Sequence, residues 1–204
     1  MNAGAIKLRS VLLLALPGIG LLGNGGWIQA KAWLAQRLIE RSWLQARNGV
    51  IAPRPWPWAD TTAIARLALP RIGTHRLILE GASGRNLAFA PTHDAASVLP
   101  GELGNSIIAG HRDTHFAFLQ EVAVGDSLEV ERVDGQHFSF RVTSTRIVHV
   151  DKARILLDAD QPMLTLVTCY PFNALLPGGP LRFIVVAELR DRSAGLQAYA
   201  PRAD

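Results

Sequence analysis

An all-β fold, a closed or nearly closed antiparallel barrel, is predicted for this chain by three observations. From Thr61 onward the sequence consists of short apolar runs broken by turn residues. One run alternates with period two, Phe138, Phe140 and Val142 on one side and His137, Ser139 and Arg141 on the other. The runs do not alternate regularly with helical segments, as a parallel sheet requires. Seven or eight strands in the segment 61–204 suit a barrel; a sandwich of the same strands is the alternative. A length of 204 residues fits one compact domain and a short appendage, and 18 Gly and 12 Pro favour turns over long helices.

Composition narrows the function classes. Hydrophobic residues at 49% and charged residues at 19% exclude a disordered chain. The 21 basic and 17 acidic residues leave a net charge of only +4, and the basic residues are scattered. A phosphate-binding face needs a concentrated stripe, so no nucleic-acid partner is expected. The single cysteine excludes an intrachain disulfide framework and any site built on several thiolates.

At the N-terminus no charge occurs between Arg9 and Lys31. That is the length of a membrane-crossing helix, about 20 residues. Segment 1–30 is therefore read as a retained membrane anchor, with a cleaved signal peptide and a buried helix as alternatives. Cleavage is disfavoured because Ile28-Gln29-Ala30 puts a bulky Ile where a small residue is wanted. Residues 27–47 read as an amphipathic helix ending at Gly49. Trp27 and Trp33 beside Lys and Arg suit a membrane interface, and packing on the domain through Trp33 and Trp43 is the competing reading. Pro53, Pro55 and Pro57 then impose an extended linker, to residue 60, with Trp56 and Trp58 expected against the body.

Candidate strands are 63–69, 76–79, 87–90, 106–109, 127–132, 137–150, 163–168 and 183–189. Asp134-Gly135 is a two-residue hairpin signal, and the long 137–150 run is expected to bend near Ser144. Short helical turns are expected at 116–121 and 152–157, and a polar, frayed tail at 191–204.

Cys169 closes the apolar strand Leu164-Thr165-Leu166-Val167-Thr168, and Pro171 ends its ladder. Most free cysteines are buried small hydrophobes, but a strand mouth makes this thiol reachable from a cleft. A nucleophile also needs a base or a positive neighbour. His111 closes the strand Ile107-Ile108-Ala109-Gly110, with His115 as its rival, while Arg182 opens the last strand after Pro177-Gly178-Gly179-Pro180. A guanidinium there would present a fixed fork of donors to an oxyanion. His75, His93, His137 and His149 read as turn or outward-facing residues without a functional role.

The block from Gly104 to Arg112 resembles the histidine motif of sortases, and Thr165-Leu166-Val167-Thr168-Cys169 resembles their TLxTC cysteine motif, with Arg182 at the place of their arginine. Trp56-Pro57-Trp58-Ala59-Asp60, the string His111 to Phe116, and Cys169-Tyr170-Pro171-Phe172 are similar to the single-sortase group of Gram-negative bacteria. The resemblance covers roughly 56–189. It implies a closed eight-stranded barrel and a membrane-anchored cysteine transpeptidase. Such an enzyme cleaves an LPXTG-like C-terminal sorting signal of a secreted protein through a thioacyl intermediate and passes the acyl group to an amine. Cys169 would be the nucleophile, His111 the acid and base, and Arg182 the stabiliser of negative charge. Thr168, Tyr170, His115 and Ala109 would contact substrate, and 152–162 would wall the groove. The implied location is the inner membrane, single-pass, with the catalytic domain facing the periplasm. No cofactor is expected. Some sortases bind calcium, but Glu121, Asp126, Glu129 and Glu131 read as a solvated strand and turn. Peptide hydrolysis by the same route, and a non-catalytic envelope-protein-binding β-domain, are the alternatives.

Overall fold

The computed structural model describes residues 26–27, 29–174, 176 and 178–194, and the chain divides between Leu38 and Ile39 into two compact units. The expected membrane anchor lies almost wholly outside the described residues. Among those described, no helix is long and apolar enough to cross a membrane. A helix runs over 29–47 (α1). In the first unit, Trp27 and Trp33 are exposed, the Lys31 ammonium lies 5.5 Å from the Trp27 ring centre, and the Arg37 guanidinium lies 5.3 Å from that of Trp33.

In the second unit, eight strands close a barrel: β1 (Ala63–Leu69), β2 (Thr74–Glu80), β3 (Thr92–His93), β4 (Gly104–Ala109), β5 (Ser127–Arg132), β6 (Gln136–His149), β7 (Pro162–Tyr170) and β8 (Leu181–Ala194). Their order around the barrel is β1-β2-β3-β4-β7-β8-β6-β5. Two pairings, β2 with β3 and β4 with β7, are parallel, so the sheet is mixed rather than antiparallel throughout. Inward positions interdigitate into one core that includes Leu67, Ile78, Ile108, Phe138, Leu166 and Val185. A second cluster gathers Ile39 and Trp43 of α1 with Ala63, Leu79 and Ala90, and Trp56 and Phe89 pack against it. Burying side chains as large as Trp43 and Ile39 stabilises by about 1.5–3 kcal/mol each, which holds this end of α1 to the barrel. Trp58, expected against the body, is 80% exposed.

Local chemistry explains the other departures. The run 87–90 is not a strand; it follows a one-turn helix, α2 (Gly84–Leu87). Ser83 Oγ accepts from the Asn86 backbone N–H, and the Asn86 amide donates to the Glu80 and Gly81 carbonyls. Side chains that bond to nearby backbone in this way compete with a sheet ladder. The Asp134-Gly135 hairpin uses three loop residues rather than two, with Gly135 at φ +85°. The β6 ladder shifts register between Val142 and Ser144, the expected bend. The second helical turn, expected at 152–157, is instead a 3-10 turn over Val150–Lys152. Residues 191–194 of the expected tail pair with β6 as the end of β8. His93 is buried, its Nε2 2.8 Å from the Val98 carbonyl, rather than outward-facing.

Gly101, at φ +91°, allows the Phe138 ring into the core: a Cβ there would lie 2.1 Å from it. Overpacking together with left-handed strain costs roughly 2–5 kcal/mol. Gly101→Ala is therefore expected to lower the thermal midpoint sharply in a calorimetric melt; a midpoint equal to wild type contradicts this packing.

Candidate active site

Three neighbouring strands bring the predicted site residues together. Parallel pairing of β4 and β7 makes both strands end at the same rim, with Ala109 opposite Val167. The Gly110 N–H donates to the Val167 carbonyl at 3.1 Å, and the Thr168 hydroxyl donates to the Gly110 carbonyl at 2.7 Å. One residue beyond this ladder stand His111 and Cys169. Strand β8 returns antiparallel and sets Arg182 directly opposite Cys169, a pairing that separates Cα atoms by about 4.5–5.5 Å and turns both side chains to one face. Leu164 and Leu166 point into the core, so by strand alternation Val167 and Cys169 point outward. Cys169 and Arg182 are half-buried and His111 is exposed. The half-buried Cys169 thus has Arg182 as its cross-strand neighbour.

The turn carrying the imidazole depends on Gly110. A Cβ at that position would lie 2.8 Å from the Phe116 ring, which is fully buried beneath it. The Phe116 N–H donates back to the His111 carbonyl at 2.8 Å and closes the turn. His115 is half-buried. Desolvation holds its imidazole below the usual histidine range, a bond to the Ala88 carbonyl partly offsets that, and the nearby charges of Arg76 and His111 lower it further. Its burial therefore favours the neutral ring.

Arg182 Nη1 donates to the carbonyls of Gly179 and Leu181 at 2.8 and 2.9 Å. Those bonds use one nitrogen of the fork and orient the remainder. Of the expected substrate contacts, Ala109 lies on the outer face beside Val167. Thr168 is buried, points opposite to Cys169 and braces β7 against Gly110. Tyr170 stacks on Phe183 at 6.4 Å and meets Phe172 edge-on at 6.0 Å. Sequence reasoning missed Arg112, which is buried and donates through Nη2 to the Ala174 and Leu176 carbonyls.

The partly exposed outward residues Ile107, Ala109 and Val167 form an apolar strip on β4 and β7 below the row His111, Cys169 and Arg182, while Ile184, opposite Val167, is covered. The segment 153–161 is tied to the start of β4. Asn105 accepts from the Thr165 hydroxyl at 2.9 Å and donates through Nδ2 to the Leu156 carbonyl at 2.9 Å, while its backbone N–H donates to Leu157. This side chain ties the segment to β4 and β7. At the start of β4, a cavity of about 280 Å³ is lined by Val98, Leu103, Gly104, Leu157 and Asp158. Among the described residues, no group of three or more His, Cys, Asp or Glu side chains could hold a metal ion. Asp126 pairs with Arg71, Glu131 pairs with Arg47 and Arg66, and Glu129 bonds to Ser127 and Ser139.

Residues 67–190 match the family model of the sortase domain. Sortase D of Bacillus subtilis is 33% identical over 120 residues, a match covering 58% of this chain and 60% of that protein, so the chain spans little more than half of this relative. Among solved structures, sortase A from Corynebacterium diphtheriae is 25% identical with a TM-score of 0.59, covering 72% of this chain and 67% of that one. A Clostridium perfringens sortase D5 transpeptidase is 28% identical with a TM-score of 0.56, covering 64% and 80%.

The two histidines are expected to behave differently. His111→Ala should cost far more turnover than His115→Ala; the reverse order overturns the assignment of the base. For His115 the folded state resists protonation, whereas the unfolded chain takes up the proton as pH falls through about 6.5. Stability is therefore lost as pH drops below that value. Melts of His115→Gln between pH 7.5 and 5.5 should show a smaller decline than wild type, and an equal decline contradicts the desolvated ring.

Proposed function

The chain belongs to the sortase family, and from that premise we propose that it is a cysteine transpeptidase acting on the C-terminal sorting signal of a secreted protein, with an LPXTG-like motif and an amine as acyl acceptor. The observation that carries this reading is the row of His111, Cys169 and Arg182 on the outward rim of three adjacent strands. An apolar strip beneath the row suits an extended peptide carrying apolar side chains, and the segment 152–162 would wall its path.

The chemistry follows from the placement. The Cys169 thiolate attacks the scissile carbonyl carbon, and the developing oxyanion is met by the N–H groups of Arg182 that are not engaged with Gly179 and Leu181. As the C–N bond breaks, His111 gives its proton to the leaving amine, which departs and leaves a thioester on sulfur. An incoming amine then gives a proton to His111 as its nitrogen attacks the thioester, and the thiolate leaves. No step needs a metal or cofactor.

The proposed setting is a single-pass anchor in the inner membrane of a Gram-negative cell, with the barrel on the periplasmic side. It is supported by the uncharged stretch between Arg9 and Lys31 and by exposed Trp27 and Trp33, each stacked under a cation.

Incubation with LPXTG-type peptides and a small amine tests the reaction. Cys169→Ala should abolish cleavage while keeping the wild-type circular dichroism, and unchanged turnover rejects the nucleophile. Arg182→Lys keeps the charge but loses the fork, and its kcat/KM should fall about 100-fold. Sustained hydrolysis with no amine adduct would favour a peptidase over a transferase.

A further inference from the structure

Arg112 is a buried guanidinium with no carboxylate beside it among the described residues, and its Nη1 is buried without a hydrogen-bond partner among them. A lone buried cation is a poor stabiliser, since the cost of removing a charge from water needs a counter-ion or a full set of acceptors to offset it. Among the described residues its side chain bonds to backbone: Nη2 donates to the Ala174 carbonyl at 3.3 Å and to the Leu176 carbonyl at 2.6 Å. Both carbonyls belong to the connection that leaves β7 just after Cys169, whereas Arg112 itself follows His111 directly.

The two reacting groups therefore stand between two cross-links joining the same two pieces of chain. Before them, Thr168 binds the Gly110 carbonyl and Gly110 binds Val167. After them, Arg112 binds Ala174 and Leu176. The β4–β7 ladder stops at Gly110; beyond it the Phe116 bond closes the turn on itself, and among the described residues the hydrogen bonds that tie this turn to the segment after Cys169 are those of Arg112. The far end of the same connection is held by Arg182 through Gly179.

We propose that Arg112 is a positioning residue whose guanidinium locks the turn bearing His111 to the segment following Cys169, keeping imidazole and thiol in register for proton transfer. The proposal rests on the transpeptidase reading for its kinetic consequence, but not for its geometric one. A misplacement of about 1 Å between reacting groups costs on the order of 100-fold in rate. The loss should fall on kcat, because the apolar strip that binds substrate lies elsewhere.

The test pairs two readouts. The rate of Cys169 alkylation by iodoacetamide, measured against pH, should show an imidazole-linked inflection that disappears in His111→Ala. In Arg112→Met the inflection should also disappear, while the thermal midpoint stays at or above wild type. In the peptide assay, kcat of Arg112→Met should fall 10- to 100-fold with KM within about threefold. Arg112→Lys, keeping one donor group, should fall between. The alkylation readout needs no peptide turnover, so failure of the transpeptidase reading leaves it intact. A wild type without the inflection, or a folded Arg112→Met that retains it, overturns the proposal. If Arg112→Met does not fold, wild-type kcat and inflection in Arg112→Lys overturn it.

Discussion

The parallel pairing of β4 with β7 is the constraint on which the site depends. Two parallel neighbours finish at the same edge of the sheet, so residues just past their last shared bond are side by side although 58 positions separate His111 from Cys169 in the chain. Had these strands run antiparallel, imidazole and thiol would lie at opposite ends of the barrel. The antiparallel return of β8 then supplies Arg182 across from Cys169. Strand alternation does the rest: with Leu164 and Leu166 committed to the core, Cys169 faces outward, where a peptide can reach it.

Around this edge the structure uses small devices to keep loops from drifting. Gly110 lets the Phe116 ring lie against backbone, which closes the turn after His111. Asn105 bridges Thr165 and the segment at 156–157, so that segment is attached to the same two strands that lead to His111 and Cys169. Arginines 112 and 182 tie the β7–β8 connection at its two ends through backbone carbonyls. The barrel core supplies stability; these ties supply registration.

Much of this was legible in the sequence because strands leave a period-two trace and because Cys169, His111 and Arg182 each stand at a strand end. The parallel pairings were not legible, since alternation within a run carries no information about the direction of its neighbour. Arg112 escaped for a related reason: its partners are backbone carbonyls, which have no side-chain signature, and an arginine after a strand reads as surface. The bond of Thr168 was within reach of the sequence: its side chain must point opposite to that of Cys169, and its hydroxyl meets the Gly110 carbonyl. The run 87–90 was apolar enough for a strand, but Ser83 and Asn86 wound the preceding residues by bonding locally.

The central claim is covalent: the acyl half of a sorting peptide passes through sulfur. Rapid-quench mass spectrometry of the enzyme with an LPXTG-type peptide, followed by digestion, reads this directly. The account predicts a mass gain equal to the acyl fragment, confined to the digestion product containing Cys169 and discharged on addition of an amine. Cleaved peptide accumulating with no adduct at Cys169, or with the adduct on another residue, would contradict it.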